Sequence, residues 1–144
     1  MNIMIIGSMS FAEKMFQVKE ELEKLGHSAE VPFDAEYHVN DGNAIDDLER
    51  NLQYCIENDV IWKGFEQVAN ADAVLALNYE KNGIEGYVGT STLMEMAIAH
   101  WHRKPIFLLY EPPDHKIHRW AHEVRIMHTD VLHGDLTKLG KGRI

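Results

Sequence analysis

Apolar residues along this chain follow two alternating patterns. Short continuous apolar runs, of the kind buried on both faces of a parallel sheet, sit between segments in which apolar residues repeat with helical spacing. The first run, Asn2–Ile6, reads as a strand. Phe11–Leu25 follows as an amphipathic helix with Phe11, Met15, Val18, Leu22 and Leu25 on one face, and Gly26 supplies its C-terminal cap. Ala29–Phe33 reads as a second strand, Glu36–Asn43 as polar and irregular, and Ala44–Glu57 and Ile61–Asn70 as helix broken near Asn58-Asp59. Ala73–Asn78 is the third strand and Thr92–His102 the next helix. Pro105–Tyr110 is the fourth strand, His115–Met127 a further helix, and the neighbourhood of Asp130–His133 a short fifth strand.

Helix-length segments between strand candidates imply βαβ units with right-handed crossovers. The expected architecture is therefore α/β: a three-layer sandwich with a five-stranded, mainly parallel sheet, flavodoxin-like or Rossmann-like, whose first, third and fourth strands are central. At 144 residues, without an internal repeat or a Pro/Ser-rich linker, the chain reads as a single domain, 1–144. A formal net charge of -9, with Lys and Arg scattered along the chain, argues against nucleic acid or an anionic membrane as partner. Runs such as Val74–Leu77 and Ile106–Leu109 are too short to span a bilayer, and the start of the chain lacks a basic n-region. The expected location is cytoplasmic. The single cysteine, Cys55, has no CxxC partner, so neither a disulfide nor a thiolate metal site is expected.

Open α/β sheets bind ligands outside the carboxyl ends of their strands, where helix N-termini favour anionic groups. Two loops fit that description. After the first strand, Gly7-Ser8-Met9-Ser10 offers close backbone approach and two hydroxyls, yet it lacks both GxGxxG and the Walker lysine. An ordinary serine N-cap explains Ser8 equally well. After the third strand, Tyr79–Thr90 is long for a βα turn, and Gly83, Gly86 and Gly89 suggest a mobile cover. Glu95 has two explanations. Thr92-Leu93-Met94-Glu95 fits the S/T-x-x-E capping box, while a carboxylate near a helix N-terminus stays ionised, as a nucleophile must. His118 and His122 lie at i, i+4 spacing in HRWAH, without the glutamate of HExxH or a third ligand, so no metal is expected.

Ala71-Asp72 before the third strand, together with Ser91-Thr92-Leu93-Met94-Glu95-Met96-Ala97, resembles the nucleoside 2-deoxyribosyltransferase superfamily, which includes the 2′-deoxynucleoside 5′-monophosphate N-glycosidases. Thr92, Glu95 and Ala99 match the motif G-T-x-x-E-x-G-x-A, with Ser91 and Ala97 in place of its glycines, and Gly7-Ser8 is similar to the N-glycosidases' phosphate-holding glycine-serine. The resemblance implies that Glu95 is the catalytic nucleophile on C1′ of a nucleoside or nucleoside monophosphate. Gly7, Ser8, Ser10, Gly89, Thr90, Ser91, Tyr79 and Tyr87 would be the substrate-binding residues. No cofactor is implied, and sites completed by a neighbouring subunit imply a homodimer or higher homo-oligomer. The family's first-strand tyrosine corresponds to about Met4, its leaving-group aspartate falls near Gly64, and its Asp or Ser six residues before the glutamate is Gly89. Tyr79 or Tyr87 could orient Glu95, and Asp34 could reach a ribose or base. Two alternatives stand beside the enzyme: a non-catalytic nucleotide-binding or regulatory module, and a silent α/β scaffold.

Overall fold

Every strand of the computed structural model, which describes residues 1–141, runs parallel to its neighbours. The sheet contains β1 (Asn2–Ile6), β2 (Ser28–Glu30), β3 (Ala73–Ala76), β4 (Ile106–Leu108) and β5 (Asp130–Val131). Their spatial order is β2-β1-β3-β4-β5, the flavodoxin-like order, with β1, β3 and β4 inside. Register follows the apolar runs: Ile3 pairs with Ala29 on one side and Ala73 on the other, and Leu75 with Phe107.

Successive strand residues point to opposite faces, so one continuous apolar run fills two cores. Ile3, Ile5, Leu75 and Phe107 pack on Met15, Val18 and Leu22 of α1 (Ala12–Lys24) and on the terminal 3-10 turn Leu136–Lys141. Met4, Ile6, Val74, Ala76 and Leu108 pack on the opposite layer. That layer is formed by α4 (Val60–Asn70), α5 (Thr90–Trp101) and α6 (Arg119–Ile126) through Val68, Met96, Ala99 and Val124. Fully burying each large side chain is worth about 1.5–3 kcal/mol. These two layers, rather than helix propensity, hold the sandwich together.

Several local expectations shift. The segment read as irregular, Glu36–Asn43, overlaps α2 (Ala35–Asn40), which forms because Ala35 and His38 are buried and the helix packs on α1. The preceding strand ends at Glu30, short of the expected Phe33. Pro32 has no N–H, and the Gln67 side chain satisfies the backbone by donating to the Val31 carbonyl and accepting from Phe33 N–H. α3 (Leu48–Glu57) starts four residues later than expected, because Asp47 accepts the Arg50 N–H as its cap. The expected break at Asn58-Asp59 is present, with Asp59 in the left-handed region at φ 51°. α6 is shorter than His115–Met127, and His118 is its N-cap residue, outside the helix.

Asp72 serves the fold: its carboxylate accepts the Asn2 N–H at 2.7 Å, fixing the start of β1 against β3. At the other end, buried Asn78 donates to the Tyr110 carbonyl and accepts its N–H at 2.7 and 2.9 Å, continuing the β3–β4 ladder with a side chain. The loop after β3 is folded rather than a loose cover. Lys81 and Ile84 exchange both backbone hydrogen bonds across Asn82-Gly83, whose φ of 54° and 77° define the turn that Asn-Gly favours. Gly86 anchors it, since a Cβ there would lie 2.1 Å from the Glu111 carbonyl oxygen and φ is 75°. Gly83 faces open space at φ 77°. Gly83→Ala should therefore cost only the left-handed penalty of about 1–2 kcal/mol, while Gly86→Ala should cost clearly more; denaturant titration of both variants makes the comparison.

Candidate functional site

The carboxyl ends of β1, β2 and β3 open into one cavity of about 280 Å³, near the lower end of the roughly 300–1,000 Å³ usual for small-molecule sites. Gly7 and Ser8 follow β1, Asp34 and His38 follow β2, Lys81 and Tyr87 come from the β3–α5 loop, and Gly89, Thr90, Ser91 and Glu95 from the start of α5. Backbone geometry fixes one of these positions and a side-chain hydrogen bond two more. Gly7 has φ 154°, and a Cβ there would come 3.2 Å from the Leu77 carbonyl oxygen. Phe33 and Asp34 are held in place through the hydrogen bond from Phe33 N–H to Gln67 on α4.

Most of the expected substrate-binding residues meet here, and two do not. Ser10 is exposed and uses its backbone N–H to reach Ser8 Oγ at 3.2 Å, so Ser8 is both a turn cap and part of the cavity wall. Tyr79 packs in the other layer, edge-on to Phe11 at 5.1 Å between ring centroids and 4.1 Å beneath the Lys14 ammonium. Tyr87 is the tyrosine that lines the cavity. Its ring lies 3.5 Å from where a Gly89 Cβ would sit, filling the space a side chain at that position would need.

Glu95 is not a capping residue. α5 starts at Thr90 behind Gly89, which makes no side-chain cap, so Thr92 is the third helical residue and Glu95 lies a full turn further on. The capping-box expectation, with Thr92 as the N-cap, placed the start three residues too late. The half-buried Glu95 side chain instead meets α4 at its one glycine: a Cβ on Gly64 would come 3.1 Å from Glu95 Oε2. Gly64, near which the resemblance would put a leaving-group aspartate, thus faces Glu95 and carries no side chain. Met4, matched to the family's tyrosine, is fully buried against the α4–α6 layer.

Desolvation pushes the Glu95 carboxyl from its usual range up to about 7, and the negative charge of Asp34 pushes in the same direction. The expectation of a carboxylate held ionised by the helix end is corrected, because that influence fades within the first turn. Asp34 and His38 form a buried pair, with His38 Nε2 3.3 Å from Asp34 Oδ2, and His38 Nδ1 has no hydrogen-bond partner. Lys81 Nζ donates to Ser8 Oγ at 2.8 Å, bringing a cation to the mouth of an otherwise acidic cavity. Burial and the charge of Asp34 raise the Cys55 thiol, so it is a weakly acidic wall residue rather than a reactive thiolate.

Lys81 and His38 escaped the sequence reading. Asn82-Gly83 signals the turn that pairs Lys81 with Ile84, but not where Lys81 points. His38 gives no local signal, since its buried face exists only once α2 has docked. The two histidines of HRWAH do not share one helix face: His118 precedes the helix, and His122 Nδ1 contacts Glu123 Oε1 at 3.1 Å. Among the described residues no group of three or more His, Cys, Asp or Glu could hold a metal ion. No helix among them is long and apolar enough to cross a membrane.

No family model matches the chain, and no curated protein matches it at a significant level.

A carboxyl raised by folding makes stability fall as it ionises. The folded state binds the Glu95 proton more tightly than the unfolded chain, so its contribution is full below about pH 4.5 and is lost as pH rises towards about 7. Glu95→Gln, which cannot ionise, should gain stability relative to the parent protein across that window. Denaturant midpoints on either side of it, or direct carboxyl titration by NMR, check this.

Proposed function

We propose that this protein cleaves or transfers the N-glycosidic bond of a (deoxy)nucleoside or nucleoside monophosphate, with Glu95 as the nucleophile at C1′. The observation that carries the reading is that Glu95 lines the same cavity as Ser8 and makes no cap at its own helix. An oxocarbenium-like centre at C1′ is stabilised by an adjacent carboxylate, and covalent capture splits one hard displacement into two easier ones. Ser8, Lys81 and the first backbone N–H groups of α5 offer donors for a sugar hydroxyl or a 5′-phosphate at the cavity mouth. A second base completes the cycle in a transferase, water in a hydrolase, and neither route needs a cofactor. The competing binding-module reading draws on the family positions that here are Met4 and Gly64.

A homodimer or higher homo-oligomer belongs to the same proposal. α3 buries none of its residues, and Leu48, Leu52 and Ile56 are 78%, 54% and 65% exposed at i, i+4 and i+8 beside the cavity. A second copy packed there would cover this row. A cytoplasmic setting fits a chain whose one cysteine has no disulfide.

Incubation with mixed nucleosides and nucleoside monophosphates should release free base, measured by chromatography. Glu95→Ala and Glu95→Gln should each reduce release by roughly 10³-fold or more, with the fold retained. Because the attacking group must be ionised, kcat/KM should fall as pH is lowered through about 7. Absence of base release, with a nucleotide bound equally well by Glu95→Gln, would establish the binding module instead. Sedimentation should show a dimer or larger, and Leu52→Glu should shift it towards monomer; a monomeric parent protein sinks the oligomer proposal.

A further inference from the structure

Departure of a nucleobase leaves the electron pair of the C1′–N bond on the base, and near neutral pH that departure is fast only if a proton arrives with it. The wall of α4 that faces Glu95 cannot supply one, because Gly64 has no side chain and a Cβ there already crowds Glu95 Oε2 at 3.1 Å. The other titratable groups of the cavity are few. Glu95 is committed to C1′, Lys81 is engaged with Ser8 at the mouth, the Tyr87 ring is packed edge-on against Trp120 and over Gly89, and burial and Asp34 keep the Cys55 thiol protonated.

What remains is Asp34 with His38. Both line the cavity, both are more than nine-tenths buried, and the His38 ring is fixed on one side by the 3.3 Å contact of Nε2 with Asp34 Oδ2. Tyr37 and Tyr54 hold the ring edge-on at 5.1 and 6.1 Å. Its second nitrogen, Nδ1, is the only buried side-chain polar atom among the described residues without a hydrogen-bond partner. Buried polar atoms are almost always paired, so such an exception calls for an explanation, and catalytic work is one.

Resting on the glycosidic reading above, we infer that His38 is the general acid that protonates the departing base, with Asp34 as the positioning residue that holds its ring. As a Glu95 carboxylate oxygen bonds to C1′, the C1′–N bond breaks, its electron pair stays on the base nitrogen, and the Nδ1 proton of the His38 imidazolium moves to the base. In the second half, water attacks C1′, its proton passes to the now neutral Nδ1, and the ester C1′–O bond breaks to restore the Glu95 carboxylate. An imidazolium–carboxylate pair does this without any further co-reactant. Asp34 occupies Nε2 and so leaves Nδ1 as the nitrogen free to serve the ligand.

Leaving-group dependence separates this role from a structural one. p-Nitrophenolate departs without a proton, whereas a natural base does not. Base release from 2′-deoxynucleosides and p-nitrophenolate release from p-nitrophenyl 2-deoxyriboside, each with and without a 5′-phosphate, are therefore measured side by side. In His38→Gln, base release should fall by roughly 10²–10⁴-fold, while p-nitrophenolate release should change by less than about tenfold. Asp34→Asn should show the same selective loss, smaller in size. Equal losses on both substrates, or no loss on either, overturn the role of His38. Where circular dichroism shows that His38→Gln has not folded, His38→Asn and Asp34→Asn are read by the same criterion. Glu95→Ala should abolish both releases. If it does not, or if the parent protein releases neither product, the glycosidic reading itself is refuted and the general acid with it.

Discussion

Parallel pairing of β1 with both β2 and β3 is the constraint on which the rest of the molecule depends. Because β1 lies between them, the chain leaves β1 over one face through α1 and returns from β2 to β3 over the other through α4. Connections that part in this way leave a crevice at the carboxyl ends of the strands that no connection covers. Gly7 and Ser8 stand on one side of it and the start of α5 on the other. The sheet is buried on both faces by apolar runs whose residues lie apart from those that line the crevice. The lining is therefore free to carry poorly satisfied polar groups.

Those groups are electrostatically uneven, and the unevenness assigns their roles. Glu95 sits against α4 at the one position where that helix has no side chain, and its carboxyl loses water without gaining a cation. Asp34 adds a second negative charge nearby, and its own close partner is the buried His38. Lys81 belongs to the mouth, where it donates to Ser8. Environments that drive neighbouring acid and base groups apart are what the proposed division between an attacking carboxylate and a proton donor would draw on. The loop carrying Lys81 achieves its aim through an Asn-Gly turn and one glycine pressed on Glu111, both local and rigid devices.

The same division explains what was legible in the residues themselves. Strand positions and their parallel order could be read because burial on both faces demands continuous apolar runs, and helix-length spacers permit only crossover connections. The cavity loops were legible for the same reason, since βα turns after central strands are where such folds bind ligands. α2 was not, because Glu36–Asn43 is polar on average and becomes helical only when Ala35 and His38 find α1. The role of Glu95 was ambiguous because the spacing of Thr92 and Glu95 satisfies a local cap equally well.

Local chemistry along the chain thus determined the parallel sheet, which of its strands are central and the two loops that face one another, since backbone period and burial act over a few residues. Tertiary packing alone decided that α5 begins at Thr90, that Gly64 faces Glu95, that Tyr79 turns away while Tyr87 turns in, and that His38 is buried beside Asp34. Each of these depends on contacts between segments distant in sequence, and the field felt by a buried carboxyl or imidazole depends on which of those segments excludes water from it.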